Sequence, residues 1–200
     1  MRELIEINTH RLWLRQWRAS DREFFAALNA DPRVMAFFPK LLDRPESDAM
    51  ADRCASLIAE RGWGFWAVQV QLTGQFVGFV GLHVPSAELP FAPCVEIGWR
   101  LASDCWGKGF ATEAASGVLD VAFEQLMLAE VVSFTSICNQ RSQTVMRRLG
   151  MRPSSGSFVH PALPSESHLR EHCLYRLTRE QWRPATVATG VSGISRREIP

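Results

Sequence analysis

The sequence predicts a mixed α/β domain of the α+β kind, and three features predict it. Short β-rich runs alternate irregularly with helical patterns. Two of the β-rich runs, FWAVQV and FVGFVGLHV, are joined by a short turn, as in an antiparallel hairpin. The glycine-rich loop lies mid-chain, between a strand and a helix, and not after a first strand as in a doubly wound sheet.

Each element has its own signal. RLWLRQWR (11–18) alternates Leu12 and Leu14 with polar neighbours and reads as a first strand. Ser20 and Glu23 have capping-box spacing ahead of the helical FFAALNA, which Asp31-Pro32 ends. A second helix is expected from about Pro45 to Arg61, with Gly62 as its stop. The hairpin of 65–70 and 76–84 turns at Leu72-Thr73-Gly74, and CVEIGWRL (94–101) is a further strand. Ala111, Ala115, Leu119, Ala122 and Leu126 recur at steps of three and four, one face of a helix. VVSFTSI (131–137) is the next strand. Asn139 fits an N-cap for a helix stopped at Gly150. Residues 152–169 read as a long loop, and HCLYRLT (172–178) as the last strand. Residues 1–183 form the single expected domain. The 184–200 segment shows no periodicity and is expected to be a flexible tail.

Composition excludes several classes. Apolar residues make up 46% and charged residues 22% of 200, enough to bury a full core. A net charge of +1 argues against a nucleic-acid binder. No run approaches the length of apolar residues that a membrane span needs. MRELIEINTHRLWLR carries charges where a signal peptide needs an apolar core, so a cytoplasmic protein is expected. Five scattered cysteines suit reduced, mostly buried thiols.

The stretch DCWGKGFAT (104–112) carries the chemistry. Gly107 and Gly109 flank Lys108, and a helix follows; a glycine loop opening a helix offers bare backbone N–H groups to an anion. A nucleoside triphosphate loop would need GxxxxGK followed by Ser or Thr, and Lys108 is followed by Gly109. A dinucleotide fingerprint would need a third glycine where Thr112 stands.

The longer stretch VEIGWRLASDCWGKGFATEA resembles the acyl-CoA-binding segment of the GNAT acetyltransferase superfamily. Its loop would be Trp106-Gly107-Lys108-Gly109-Phe110-Ala111, with Trp106 where Gln or Arg is usual, as in the branch that resembles ribosomal-protein N-terminal acetyltransferases. RLWLRQWRASD, NQRSQTVMRRLGM and HCLYRLTREQW extend the resemblance over most of the chain. It implies a central, mostly antiparallel twisted sheet of about six or seven strands flanked by about four helices. It also implies acetyl-CoA as acyl donor, no metal, and a small-molecule or peptide amine as acceptor, in a monomer or homodimer. The pyrophosphate would meet the N–H groups of Gly107 to Thr112, with Lys108 adding charge or pointing to water. The pantetheine arm would pair with the backbone of Trp99, Arg100 and Leu101. Asn139 and Ser142 match positions that touch the coenzyme, although Asn139 also reads as a plain cap. Glu113 reads as a carboxylate matched to the helix dipole.

Acetyl transfer needs a base for an ammonium whose pKa is about 10.4. Glu96, flanked by Val95 and Ile97, is the first candidate; the alternative is a structural carboxylate paired with Arg100. His160 and His172 are further candidates, because imidazole titrates near neutrality. The family's usual acid, a tyrosine, falls at Met146 here, which leaves Ser142 or water to protonate the thiolate. The only tyrosine, Tyr175, reads as packing. The resemblance also implies an acceptor pocket between the 29–45 segment and the 152–169 loop, with Phe37 and Phe38 as its walls. The main rival is a coenzyme-A-binding module without turnover.

Overall fold

The computed structural model describes residues 4–85 and 88–183. The expected tail at 184–200 lies outside the described residues. The strands are β1 (Ile7–Asn8), β2 (Leu12–Arg15), β3 (Phe65–Val70), β4 (Phe76–His83), β5 (Glu96–Leu101), β6 (Glu130–Ser136), β7 (Arg152–Val159) and β8 (Glu171–Thr178). The helices are α1 (Asp21–Ala30), α2 (Arg44–Arg61), α3 (Phe110–Asp120) and α4 (Gln140–Arg148). The eight strands make one sheet in the order β1-β2-β3-β4-β5-β6-β8-β7, antiparallel except between β5 and β6.

Two strands exceed the expectation. β1 has two residues, too few for any sequence periodicity. β7 occupies the first half of the expected 152–169 loop. RPSSGSFV lacks an alternating apolar face, holds Pro153, and breaks register between Pro153 and Ser157 around Gly156 (φ 76°). A proline and a bulge are tolerated only because this strand lies at the sheet's edge.

The helix ends follow backbone chemistry. α2 opens with a capping box at Asp43 and Glu46: Glu46 N donates to Asp43 Oδ1 (2.9 Å) and Asp43 N donates to Glu46 Oε2 (3.1 Å). It stops at Gly62 in the left-handed region. The box expected at Ser20 and Glu23 does not form. Ser20 is already helical and caps nothing, because the neighbouring Asp21 accepts from Arg18 N (2.8 Å) and from the Arg15 guanidinium.

Helices cover both faces. On one, Phe25 and Leu28 of α1 and Ala51 of α2 bury against Ala67, Phe76 and Phe79. On the other, Ala114, Ala115, Val118 and Leu119 of α3 bury against Leu12, Leu14, Val80, Leu82 and Ile97. α3 continues through a wider π-type turn over Val121–Gln125, which keeps Ala122 and Phe123 in the core.

Candidate active site

The parallel pair β5–β6 is joined at one point only. Glu96 is in register with Val132, and Val132 N donates to Val95 O at 2.9 Å. Beyond that point the two strands part, so the β6-facing backbone edge of Gly98 to Leu101 has no strand beside it. A cavity of about 710 Å³ opens in the fork, within the size range of small-molecule sites.

One end of the cavity is the glycine loop. Gly107 (φ 75°) and Gly109 (φ 82°) take the left-handed conformation that other residues resist. Gly109 is the N-cap of α3 and has no side chain to cap the first turn, so the amides of Phe110, Ala111 and Thr112 keep free N–H groups at the positive helix end. Trp106 anchors the loop: its indole Nε1 donates to Leu101 O (2.9 Å), and the Arg141 guanidinium stacks on its ring at 4.5 Å. Asn139 caps α4 by accepting from Ser142 N (3.2 Å), while its Nδ2 donates to Thr135 Oγ1 (2.9 Å) and Ser142 Oγ (3.0 Å). Both side chains line the cavity, so the cap and a cavity-facing position coexist in one residue.

The opposite end is set by strand alternation. Glu96, Gly98 and Arg100 share one face of β5, in register with His83, Gly81 and Phe79 of β4. Glu96 has no ion-pair partner among the described residues, and burial pushes its pKa up to about 8. It is not paired with Arg100. That guanidinium lies four residues along the strand and donates to Asn29 Oδ1 (2.6 Å) instead. His83 stands in register opposite Glu96 and stacks on Phe65 (5.5 Å between centroids, 23°); burial, helped by Arg61 and Arg53, lowers its pKa. His83 was not singled out in the sequence, although counting alternate residues back from it along β4 reaches Phe79 on the same face.

His160 and His172 line the cavity on the β6–β8 side, their rings 4.9 Å apart within a group that includes Phe134 and Phe158. Burial lowers both pKa values, which favours neutral imidazoles. Phe37 and Phe38 line the cavity as well.

The fold therefore brings Trp99, Arg100, Leu101, Trp106, Gly107, Gly109, Phe110, Ala111 and Thr112 into one cavity with Glu96, Asn139, Ser142 and His160. Lys108 is exposed and is not part of the lining. Met146 is buried in the wall, and Tyr175 is buried with its hydroxyl accepting from Arg147 Nε (3.3 Å). Cys105 also borders the cavity, but burial and Asp104 push its thiol up to about 11, far from a nucleophilic thiolate at neutral pH. Glu113 accepts from Thr9 Oγ1 (2.6 Å), Arg11 N (2.7 Å) and Arg11 Nε (2.7 Å). Burial opposes its ionisation, and these donors outweigh it, holding the pKa below the usual range.

A family model described as an acetyltransferase (GNAT) domain matches residues 11–152. The chain belongs to the GNAT acetyltransferase family. Its relatives include the FsC-acetyl coenzyme A-N(2)-transacetylase of Aspergillus fumigatus, 31% identical over 185 residues, with 88% of this chain and 77% of the fungal protein covered. The fold is shared with a GNAT-family acetyltransferase from Bacillus anthracis (TM-score 0.74, 22% identity, 88% of this chain and 99% of that one). It is shared too with the ribosomal-protein-S5-alanine acetyltransferase of Vibrio fischeri (TM-score 0.69, 17% identity, 90% and 100%). The chain is an N-acetyltransferase, of a family that uses acetyl-CoA and acts on amines. No helix among the described residues is long and apolar enough to cross a membrane, and no group of three or more His, Cys, Asp or Glu there could hold a metal ion.

Proposed function

We propose that this GNAT enzyme moves an acetyl group from acetyl-CoA to a primary amine, on a small molecule or a peptide N-terminus, by direct attack in a ternary complex. The observation that carries the reading is the place of Glu96: a desolvated carboxyl, unpaired among the described residues, at the fork of β5 and β6 and in one cavity with the uncapped start of α3. The free amides of Phe110 to Thr112 suit the pyrophosphate, and the open edge of Trp99 to Leu101 suits the pantetheine amides.

Glu96, as its carboxylate, takes a proton from the acceptor ammonium, directly or through one water. The amine lone pair attacks the thioester carbonyl carbon, the C–N bond forms, and the C–S bond breaks. The amide nitrogen sheds its second proton, and the thiolate gains one. Ser142 is the proposed donor: its Oγ accepts from Asn139 Nδ2, so its own proton is left to give. Met146 cannot supply it. His160 and His172 face the cavity as neutral rings suited to line the acceptor channel or relay a proton.

The lining carries four arginines and a single carboxylate, Glu96, which disfavours a polycationic acceptor. The test is Glu96→Gln. Acetyl-CoA should raise the melting temperature of wild type and variant alike, while turnover falls at least tenfold in the variant. Unchanged turnover would remove Glu96 from the mechanism. No stabilisation of either protein by millimolar acetyl-CoA would remove the donor.

A further inference from the structure

Arg100 is unusual among the cavity's cations. Its side chain is buried, with 7% of the residue exposed, yet no carboxylate among the described residues pairs with it. Nη1 donates to Asn29 Oδ1 (2.6 Å) and lies 3.6 Å from Met50 Sδ. Among the described residues Nε has no partner, and the hydrogen bonds of this side chain all leave from Nη1. The guanidinium sits over the Phe38 ring at 3.9 Å, with Phe79 at 5.4 Å on the other strand. Aromatic faces hold a cation in place without neutralising it.

The other arginines have duties elsewhere. Arg33 is largely exposed and paired with Asp31. Arg141 stacks on Trp106 beside the glycine loop, and Arg148 lies at the end of α4. Arg100 alone lines the acceptor side as a buried charge with free donors. A buried guanidinium left without a counter-charge is costly; its planar fork takes two oxygens of a carboxylate or a phosphate, and a single carboxylate matches the one positive charge here.

We propose that Arg100 binds a carboxylate of the acceptor, so that the amine acetylated here belongs to an amino acid whose amine and carboxylate stand well apart. The proposal rests on the acetyltransferase reading above. The separation follows from the strand. Glu96 and Arg100 are four residues apart on one face, so their Cα atoms are about 13 Å apart. Gly98 between them carries no side chain of its own; the Phe65 ring packs over it, 3.3 Å from where a Cβ would stand, and forms the floor of the run. An acceptor that puts its amine at Glu96 and its carboxylate at Arg100 is therefore extended between the two groups, as a linear ω-amino acid is and glycine is not.

The experiment uses linear ω-amino acids from glycine to 8-aminooctanoate, each paired with its primary amide, in a free-thiol release assay with acetyl-CoA. Acetyl-CoA binding is followed by thermal shift in parallel. The expected result is a kcat/KM at least tenfold higher for the acids than for the amides among the longer members, with glycine poor. Arg100→Met should bring the acid-to-amide ratio close to one. Arg100→Lys, which keeps the charge and loses the fork, should fall between. A wild-type ratio of one or below overturns the proposal without any variant. So does a ratio that Arg100→Met leaves intact, or turnover of no member by a protein that acetyl-CoA stabilises; those outcomes leave the acetyltransferase reading standing. Absence of stabilisation by acetyl-CoA would instead remove that reading.

Discussion

Two regions of this molecule treat buried charge in opposite ways. At the N-terminal edge of the sheet the buried charges are matched, among the described residues. Arg15, 2% exposed, makes a two-pronged pair with Asp21 (Nη1 to Oδ2 and Nη2 to Oδ1, both 2.8 Å), and its Nε donates to Gln69 Oε1 (2.8 Å). Glu113, reaching the same edge from the start of α3, collects three donors from Thr9 and Arg11. In the cavity, Arg100 and Glu96 are each without an opposite charge among the described residues, though they share one face of one strand. The first arrangement fastens β1, β2, α1 and α3 together. The second leaves chemistry available to a third party. Buried arginine or glutamate is thus no sign of function by itself; the absence of a partner is the sign.

The largest effect should come from breaking the matched side. Asp21→Ala leaves the Arg15 charge stranded and should cost roughly 3–5 kcal/mol of stability in urea unfolding. A loss no greater than that of an average surface substitution would show that the pair is not the fastener described.

Glu96→Gln tests the unmatched side, and its sign is opposite. A carboxyl whose folded pKa is raised to about 8 stays protonated where the unfolded chain ionises at about 4.3. The penalty is absent below that lower pKa, builds as pH rises, and is complete above pH 8. The variant should therefore match wild type near pH 4 and be the more stable protein at pH 9, by thermal melts across pH. In activity, the wild-type kcat/KM should climb through an apparent pKa near 8, as the base sheds its proton, and the variant should lose that limb along with at least tenfold in rate.

Glu113→Gln sharpens the contrast at smaller scale. The folded pKa lies below the unfolded one, so the contribution is present above about pH 4.3 and is lost as pH falls through the lower folded value. The substitution should cost about 1–2 kcal/mol at pH 7, and the gap should close on acidification.

Arg100→Met should be the mildest in stability, within about 1 kcal/mol, since removing an unneutralised buried charge offsets the lost bond to Asn29. A loss as large as that of Asp21→Ala would mean that Arg100 is a structural residue like Arg15.

Much of this was legible beforehand. Gly62 and Gly150 mark helix stops because the left-handed conformation there admits glycine readily, and both have positive φ. The glycine loop was legible because two glycines, a missing cap and a following apolar face are all local. The failures were local rules overruled by neighbours. Ser20 and Glu23 have the spacing of a cap, but Asp21 was claimed by Arg15, a partner six residues away in sequence and on another element. RPSSGSFV looks like a loop because nothing in it forms an apolar face, and only the open edge of β8 makes it a strand.

The same division holds for the site. The loop, the helix behind it and Glu96 as a carboxyl among apolar neighbours are readable from the chain alone, because these depend on residues within one turn or one strand. Packing alone set that β5 and β6 meet at Glu96 and then part, that His83 stands opposite it, and that Asn29 of α1 and not a carboxylate takes the Arg100 bond. Strand register and the parting of two strands are set by cross-chain packing, and a charge's partner is whatever packing brings within hydrogen-bond reach. That reach spans 71 residues between Asn29 and Arg100, a distance over which no local pattern in the sequence carries information.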